Sequence, residues 1–121
     1  IAPANDAVAM KRLSDLLCHP VCYSSGTSHK GFLPLCGNVI EAEGDGVRFT
    51  VLKCAEDGYG VILRAVNLTD ETRTADIRLP VGFTAAYLSD SLENRISALD
   101  VTGGEVSAEI PPHSAVTVRI E

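Results

Sequence analysis

The stretch VLKCAEDGYGVILRAVNLTDE, Val51 to Glu71, restricts the possible folds more than any other part of the chain. Asp57-Gly58 is a strong two-residue hairpin signal, because both central positions of such a turn favour positive φ, and apolar runs flank it on each side. With those two residues at the tip, Cys54 faces Val61, Leu52 faces Leu63 and Glu56 faces Tyr59. Side chains alternate along a strand, so one face of the hairpin carries Leu52, Cys54, Val61, Leu63 and Ala65. The other carries Phe49, Val51, Lys53, Ile62, Arg64 and Val66. Both faces are largely apolar, yet a two-layer sandwich buries only one face of each sheet. The row Phe49, Val51, Ile62 and Val66 is therefore expected to need cover, from an N-terminal helix or from a surface outside this chain.

The rest of the chain reads as strand after strand. NVIEA, VRFTVLKC, GVILRAVN, TRTADIRLP, TAAYLSD, RISALDV, EVSAEI and SAVTVRIE are separated by EGDG, EDGY, LTDE, TGG and PPH. In TRTADIRLP, Ala75, Ile77 and Leu79 alternate with Thr74, Asp76 and Arg78. Short strands spaced by Gly, Asp and Pro turns predict a mostly-β fold, an antiparallel β-sandwich over residues 38–121. Before it, AVAMKRLSDLLCH predicts one N-terminal helix, capped by Asn5 or Asp6 and stopped by Pro20. Its apolar positions Val8 or Ala9, Leu13, Leu16 and Leu17 fall near one face. VCYSSGTSHKGFLPLC has no clean period and reads as a loop, so residues 1–37 lead into a single domain.

Composition narrows the function. The 121 residues suit one domain, which at this size removes roughly two-thirds of the extended chain's surface from water. A formal charge of −6 opposes binding to nucleic acid, and no Lys/Arg stripe offsets it. No apolar run approaches the ~18 residues of a membrane helix. The four cysteines, Cys18, Cys22, Cys36 and Cys54, are too few and too irregular for a disulfide scaffold. They read as reduced thiols in a cytoplasmic protein, with Cys54 packing as a small apolar residue in its strand. The chain starts at Ile1 without a signal-peptide pattern and is expected to be a piece of something longer.

Three groups of residues invite a chemical reading. Glu56 and Asp57 resemble a glycosidase carboxylate pair, but neighbours at a turn tip point apart, and Asp57 is explained by the turn. Glu56 is expected to pair with Lys53, or with a half-buried Arg64. Cys18, Cys22, His29 and Cys36 have the right count for zinc and the wrong spacing. Ser114 beside His113 follows Pro111-Pro112 and reads as a solvated turn. Asn67-Leu68-Thr69 formally matches a glycosylation acceptor, which matters only in a secreted eukaryotic chain.

The hairpin also carries a resemblance. Lys53, Ala55, Glu56, Asp57, Gly58, Leu63, Arg64 and Asn67, with the later AAYLSDSLEN and IPPHSAVTVRIE, resemble the C-terminal β-domain of glycoside hydrolase family 38 α-mannosidases. CHPVCY and GFLPLC are similar to the segment upstream of that domain, and Cys54 stands where many relatives repeat Lys. The resemblance implies a parent enzyme that removes terminal α-linked mannose using zinc and an aspartate nucleophile. Both would belong to a catalytic domain outside this chain. It implies no catalytic, cofactor-binding or metal-ligating residue here. The Lys53, Glu56, Asp57, Gly58, Arg64 and Asn67 motif is then structural, and Phe49, Val51, Ile62 and Val66 become candidates for packing against the catalytic domain. Mannose-containing glycan near the loops is a further expected partner. The alternative is a stand-alone carbohydrate-binding or interaction module. The absence of Trp and the scatter of Tyr23, Tyr59 and Tyr87 leave that alternative without the usual aromatic platform.

Overall fold

The computed structural model describes residues 7–19, 21–27, 30, 31, 38, 40–80 and 82–121. It divides into two compact units, Ile1–Val39 and Ile40–Glu121. The first contains helix α1, Ala7–Cys18. A Lys11–Asp15 ion pair one turn apart supports it, and none of its residues is buried. The expected caps Asn5 and Asp6, the stop at Pro20, and two of the four candidate zinc ligands, His29 and Cys36, lie outside the described residues.

The second unit is an antiparallel β-sandwich. Its strands are β1 Glu41–Glu43, β2 Val47–Cys54, β3 Val61–Asn67, β4 Arg73–Arg78, β5 Ala86–Ser89, β6 Arg95–Leu99, β7 Glu105–Ile110 and β8 Ala115–Ile120. They form a three-stranded sheet, β1-β4-β7, and a five-stranded sheet, β2-β3-β8-β5-β6. Strand β8 thus pairs with β3 on one side and β5 on the other, joining the β2–β3 hairpin to the β5–β6 hairpin.

The inner faces supply the core. Ala75 and Ile77 of β4 and Val106, Ala108 and Ile110 of β7 face Leu63, Ala65, Val118 and Ile120 across the sandwich. Ile77, Ile110 and Ile120 are among the largest fully buried side chains, each worth about 1.5–3 kcal/mol in apolar surface removed from water. Phe49 packs on both parts of the core and bridges them.

The β2–β3 register is Cys54 opposite Val61 and Leu52 opposite Leu63, as the sequence predicts. The turn differs. Gly58 N–H donates to the Ala55 carbonyl (3.0 Å) and Ala55 N–H to the Gly60 carbonyl (3.1 Å), so the loop is longer than two residues. Positive φ falls on Gly58 and Gly60, not on Asp57. Gly60 is needed for space as well: a Cβ there would meet the Ile120 carbonyl oxygen at 2.3 Å.

A bulge at Thr50 breaks the ladder, leaving Val51 opposite Arg64 but Phe49 opposite Ala65. Phe49 therefore turns into the core and leaves the row expected to need outside cover. Ile62 leaves it for another reason, being wholly buried between its ladder neighbours Lys53 and Arg119. Val51 and Val66 remain half-buried on the outer face. Cys54, expected to pack inward, is exposed at the end of edge strand β2.

Candidate functional site

The outer face of the five-stranded sheet carries several polar side chains that are themselves buried, Arg119 and Thr117 on β8 among them. Arg119, alternating outward on β8, is 6% exposed. Its guanidinium donates to Asp57 Oδ2 (2.6 Å), the Tyr59 carbonyl (2.9 Å) and the Glu93 carbonyl (3.3 Å), and also pairs with Glu121. One arginine thereby ties the β2–β3 turn to the loop between β5 and β6. Glu93 completes the tie from the other side. It pairs with Lys53 (2.8 Å) and accepts the Glu56 N–H (2.8 Å), at the cost of a left-handed φ of 68°. Glu56 pairs with Lys53. Arg95 pairs with Glu121 and stacks over Tyr87, 4.7 Å from the ring centre.

These contacts set the charge states. The hydrogen bond from Arg119, then that from Tyr59 N–H, holds the Asp57 carboxyl below its ordinary range. Lys53, then the Glu56 N–H, does the same for Glu93, and Arg95 followed by Arg119 does so for Glu121. Reciprocally, Glu56 and Glu93 raise Lys53, and Asp57 raises Arg119. All five groups are held charged.

Asn67, fully buried at the end of β3, is a second junction. Its amide nitrogen reaches the carbonyls of Glu71 (2.7 Å), Ile110 (3.0 Å) and Pro111 (3.1 Å), and its oxygen accepts from Thr69 N–H (2.9 Å) and Oγ1 (2.8 Å). The side chain satisfies backbone groups where the chain leaves β3 and β7.

Beside the ion-pair network runs an open groove of about 470 Å³, lined by Arg64, Ser89, Asp90, Ile96 and Thr117 among others. Arg64, Thr117 and Ser89 are ladder partners across β3, β8 and β5 and form one rung of the sheet. Arg64 Nε donates to Thr117 Oγ1 (3.1 Å). Asp90 accepts from Leu92 N–H (2.8 Å), Asn94 N–H (2.9 Å) and Asn94 Nδ2 (2.9 Å), which holds its carboxyl low. A bulge in the β5–β6 ladder brings both Arg95 and Ile96 to this side, leaving Ile96 68% exposed.

The sequence profile of the glycosyl hydrolases family 38 C-terminal beta sandwich domain matches residues 46–118. The chain belongs to that family. No curated protein and no solved structure gave a match to it.

Within this family 38 domain the hairpin motif is dispersed over three jobs. Lys53, Glu56 and Asp57 serve the ion-pair network, Gly58 the turn, and Asn67 the β3–β7 junction. Of the two cations expected for Glu56, Lys53 takes it, and Arg64 instead meets the Thr117 hydroxyl. Glu56 and Asp57 turn to different cations and do not converge as a catalytic pair. His113 pairs with Asp70 (2.8 Å), while the Ser114 hydroxyl donates to the Pro112 carbonyl (3.0 Å), so the two form no nucleophile–base dyad. Among the described residues, no three His, Cys, Asp or Glu side chains gather as metal ligands would.

Sequence reasoning did not find Arg119, Glu93, Ser89 or Ile96. One signal was available: SAVTVRIE places an arginine amid apolar strand residues, where burial requires a partner.

Proposed function

We propose that this family 38 domain is the non-catalytic C-terminal sandwich of an α-mannosidase-like hydrolase, packing against the catalytic domain of the same polypeptide. The family match over residues 46–118 carries the reading. Its outer sheet face supports the packing role. Half-buried Val51 and Val66 lie there, with exposed Ile96 and Leu92 nearby, on a frame already stiffened by Arg119 and Glu93. In this reading the zinc and the nucleophile belong to the catalytic domain, and this chain supplies neither. Exposed thiols at Cys18 and Cys54 suit a reducing, cytoplasmic location.

The test uses the full polypeptide with p-nitrophenyl α-D-mannopyranoside. Hydrolysis is expected, lost on chelation and restored by zinc. The double substitution Val51→Asp, Val66→Asp is expected to expose the link between domains to protease and to lower activity. The melting curve of the 121-residue chain carrying the same changes reports any damage to the domain itself. Absence of α-mannoside hydrolysis would refute the enzymatic half of the reading. Unchanged protease resistance would refute the packing half.

A further inference from the structure

The two sheets end in the edge strands β1, β7, β2 and β6. An edge strand is a template for further pairing unless something blunts it. β1 is three residues long, β2 carries Lys53 and the bulge at Thr50, and β6 carries Arg95 and an irregular ladder to β5. β7 is the exception. Its six residues pair with β4 in unbroken register and include no Lys, Arg or Pro. Its second side has no ladder partner among the described residues. Leu79 N–H donates to the Gly104 carbonyl (2.8 Å), so Gly104 and, at the two-residue period, Val106, Ala108 and Ile110 turn their backbone groups toward β4. Glu105 turns the other way and exchanges both bonds with Thr102 (2.9 and 3.0 Å). Ser107 and Glu109 therefore hold their N–H and C=O groups along the free side. Thr102 already fills the first place of the strand that would cover them.

The surroundings of this edge select its occupant. Between β7 and β6 lies an open cleft of about 460 Å³, lined by Ala98, Leu99, Asp100, Thr102, Glu105 and Ser107. Leu99 also packs on the core and gives the cleft an apolar floor. The lining holds two carboxylates and no cation. Glu105 spends Oε1 on Arg78 and keeps Oε2, and Glu109 pairs with no cation among the described residues. A second copy fits poorly. Aligned antiparallel about Ser107, Glu105 of each strand would face Glu109 of the other, and like charges directly opposite are destabilising. A strand with Lys or Arg at those positions reverses the sign, and apolar residues alternating with them settle toward Leu99. The backbone groups of Ser107 and Glu109 are too few to hold a free peptide against the freedom lost on association, so the strand must be tethered.

We infer that the free edge of β7 takes up an extended strand from the same polypeptide outside this chain, with Lys or Arg beside Glu105 and Glu109 and apolar residues toward Leu99. The inference rests on the reading of this domain as one part of a larger polypeptide. It adds a second attachment, a main-chain ladder on the three-stranded sheet, to the one made by the Val51–Val66 strip.

The experiment compares amide hydrogen exchange in the 121-residue chain and in the full polypeptide, with the Val106 and Ala108 amides as protected references. In the 121-residue chain the Ser107 and Glu109 amides are expected to exchange freely. In the full polypeptide both should slow at least about tenfold. Glu109→Lys should return the Ser107 amide to within about twofold of its free rate, while Glu43→Lys on edge strand β1 leaves it slow. Ser107→Pro removes a donor on the free side without touching the β4 ladder, and should free the Glu109 amide as well. Melting curves of the 121-residue variants verify folding. Free exchange of both amides in the full polypeptide overturns the inference, as does wild-type protection of Ser107 in Glu109→Lys. Protection that appears in the 121-residue chain and grows with its concentration also overturns it, marking a second copy as the occupant. Loss of protection in Glu43→Lys overturns the place assigned to the basic strand. Hydrolysis of the α-mannoside with both amides open sinks this inference alone, whereas protected amides without hydrolysis sink the mannosidase reading alone.

Discussion

The outer faces of the two sheets are both rich in charge, yet they are organised differently. On the three-stranded sheet, Thr74, Asp76 and Arg78 of β4 and Glu105, Ser107 and Glu109 of β7 are exposed in strict alternation with buried neighbours. Arg78 pairs with Glu41 (3.0 Å) and Glu105 (2.7 Å) at side chains that remain largely in water. On the five-stranded sheet, Arg119, Thr117, Ser89 and Glu93 are all less than a tenth exposed. The first face is a solvated surface whose ion pairs add little. The second holds Arg119 and Glu93 out of water, where each depends on partners that are themselves partly exposed.

The largest test of this contrast compares Arg119→Met with Arg78→Met. Removing Arg119 takes a partner from Asp57 and Glu121 and leaves the Tyr59 and Glu93 carbonyls short of a donor. A loss of about 1–3 kcal/mol is expected in urea unfolding, mainly from those unsatisfied backbone groups. Arg78→Met should leave the unfolding midpoint unchanged within error. Equal effects would erase the distinction between the faces.

Acid provides the next test. Asp57, Glu93 and Glu121 have folded pKa values below their ordinary 3.8, 4.5 and 4.5. The unfolded chain therefore takes up protons first as pH falls. The stability these groups contribute is fully present above that range and is lost as pH drops through the lower folded values. The urea midpoint should hold steady from neutral pH down to about 5 and fall below about 4.5. Arg119→Met should fall less steeply, because Asp57 and Glu121 have already lost that partner. A parallel acid profile in the variant would mean that the loss arises elsewhere.

The smallest expected effect is at Ile96. Ile96→Thr on the exposed bulge should change stability by less than about 0.5 kcal/mol, measured by thermal unfolding. A larger loss would show that Ile96 belongs to the domain's own core rather than to its presented surface.

The contrast also explains what was legible in the sequence. Alternation in TRTADIRLP reveals the solvated sheet directly, because burial there follows the two-residue period alone. The β2–β3 register is legible for a similar reason, since shifting it by one residue would exchange the two faces. The bulge at Thr50 leaves no trace in residue type, and one inserted residue sufficed to send Phe49 inward. The hidden part of the site is long-range. Arg119 meets Asp57 across 62 positions, and Glu93 meets Glu56 across 37. Spacing rules have no reach at such separations. Reading Asp57 from its turn alone therefore missed its partner.

The position of β8 has a consequence for how such a domain is made. The β2–β3 and β5–β6 pairs are local and can close soon after they leave the ribosome. Neither can join the other until β8 has followed them, because β8 lies between them and forms the ladder on both sides. Until then each hairpin presents an unpaired edge, and the partners of Arg119 wait uncompensated. Synthesis therefore holds the five-stranded sheet as two separate halves and completes it in one late insertion, a stage at which chaperone capture or hairpin exchange between nascent chains would compete with folding.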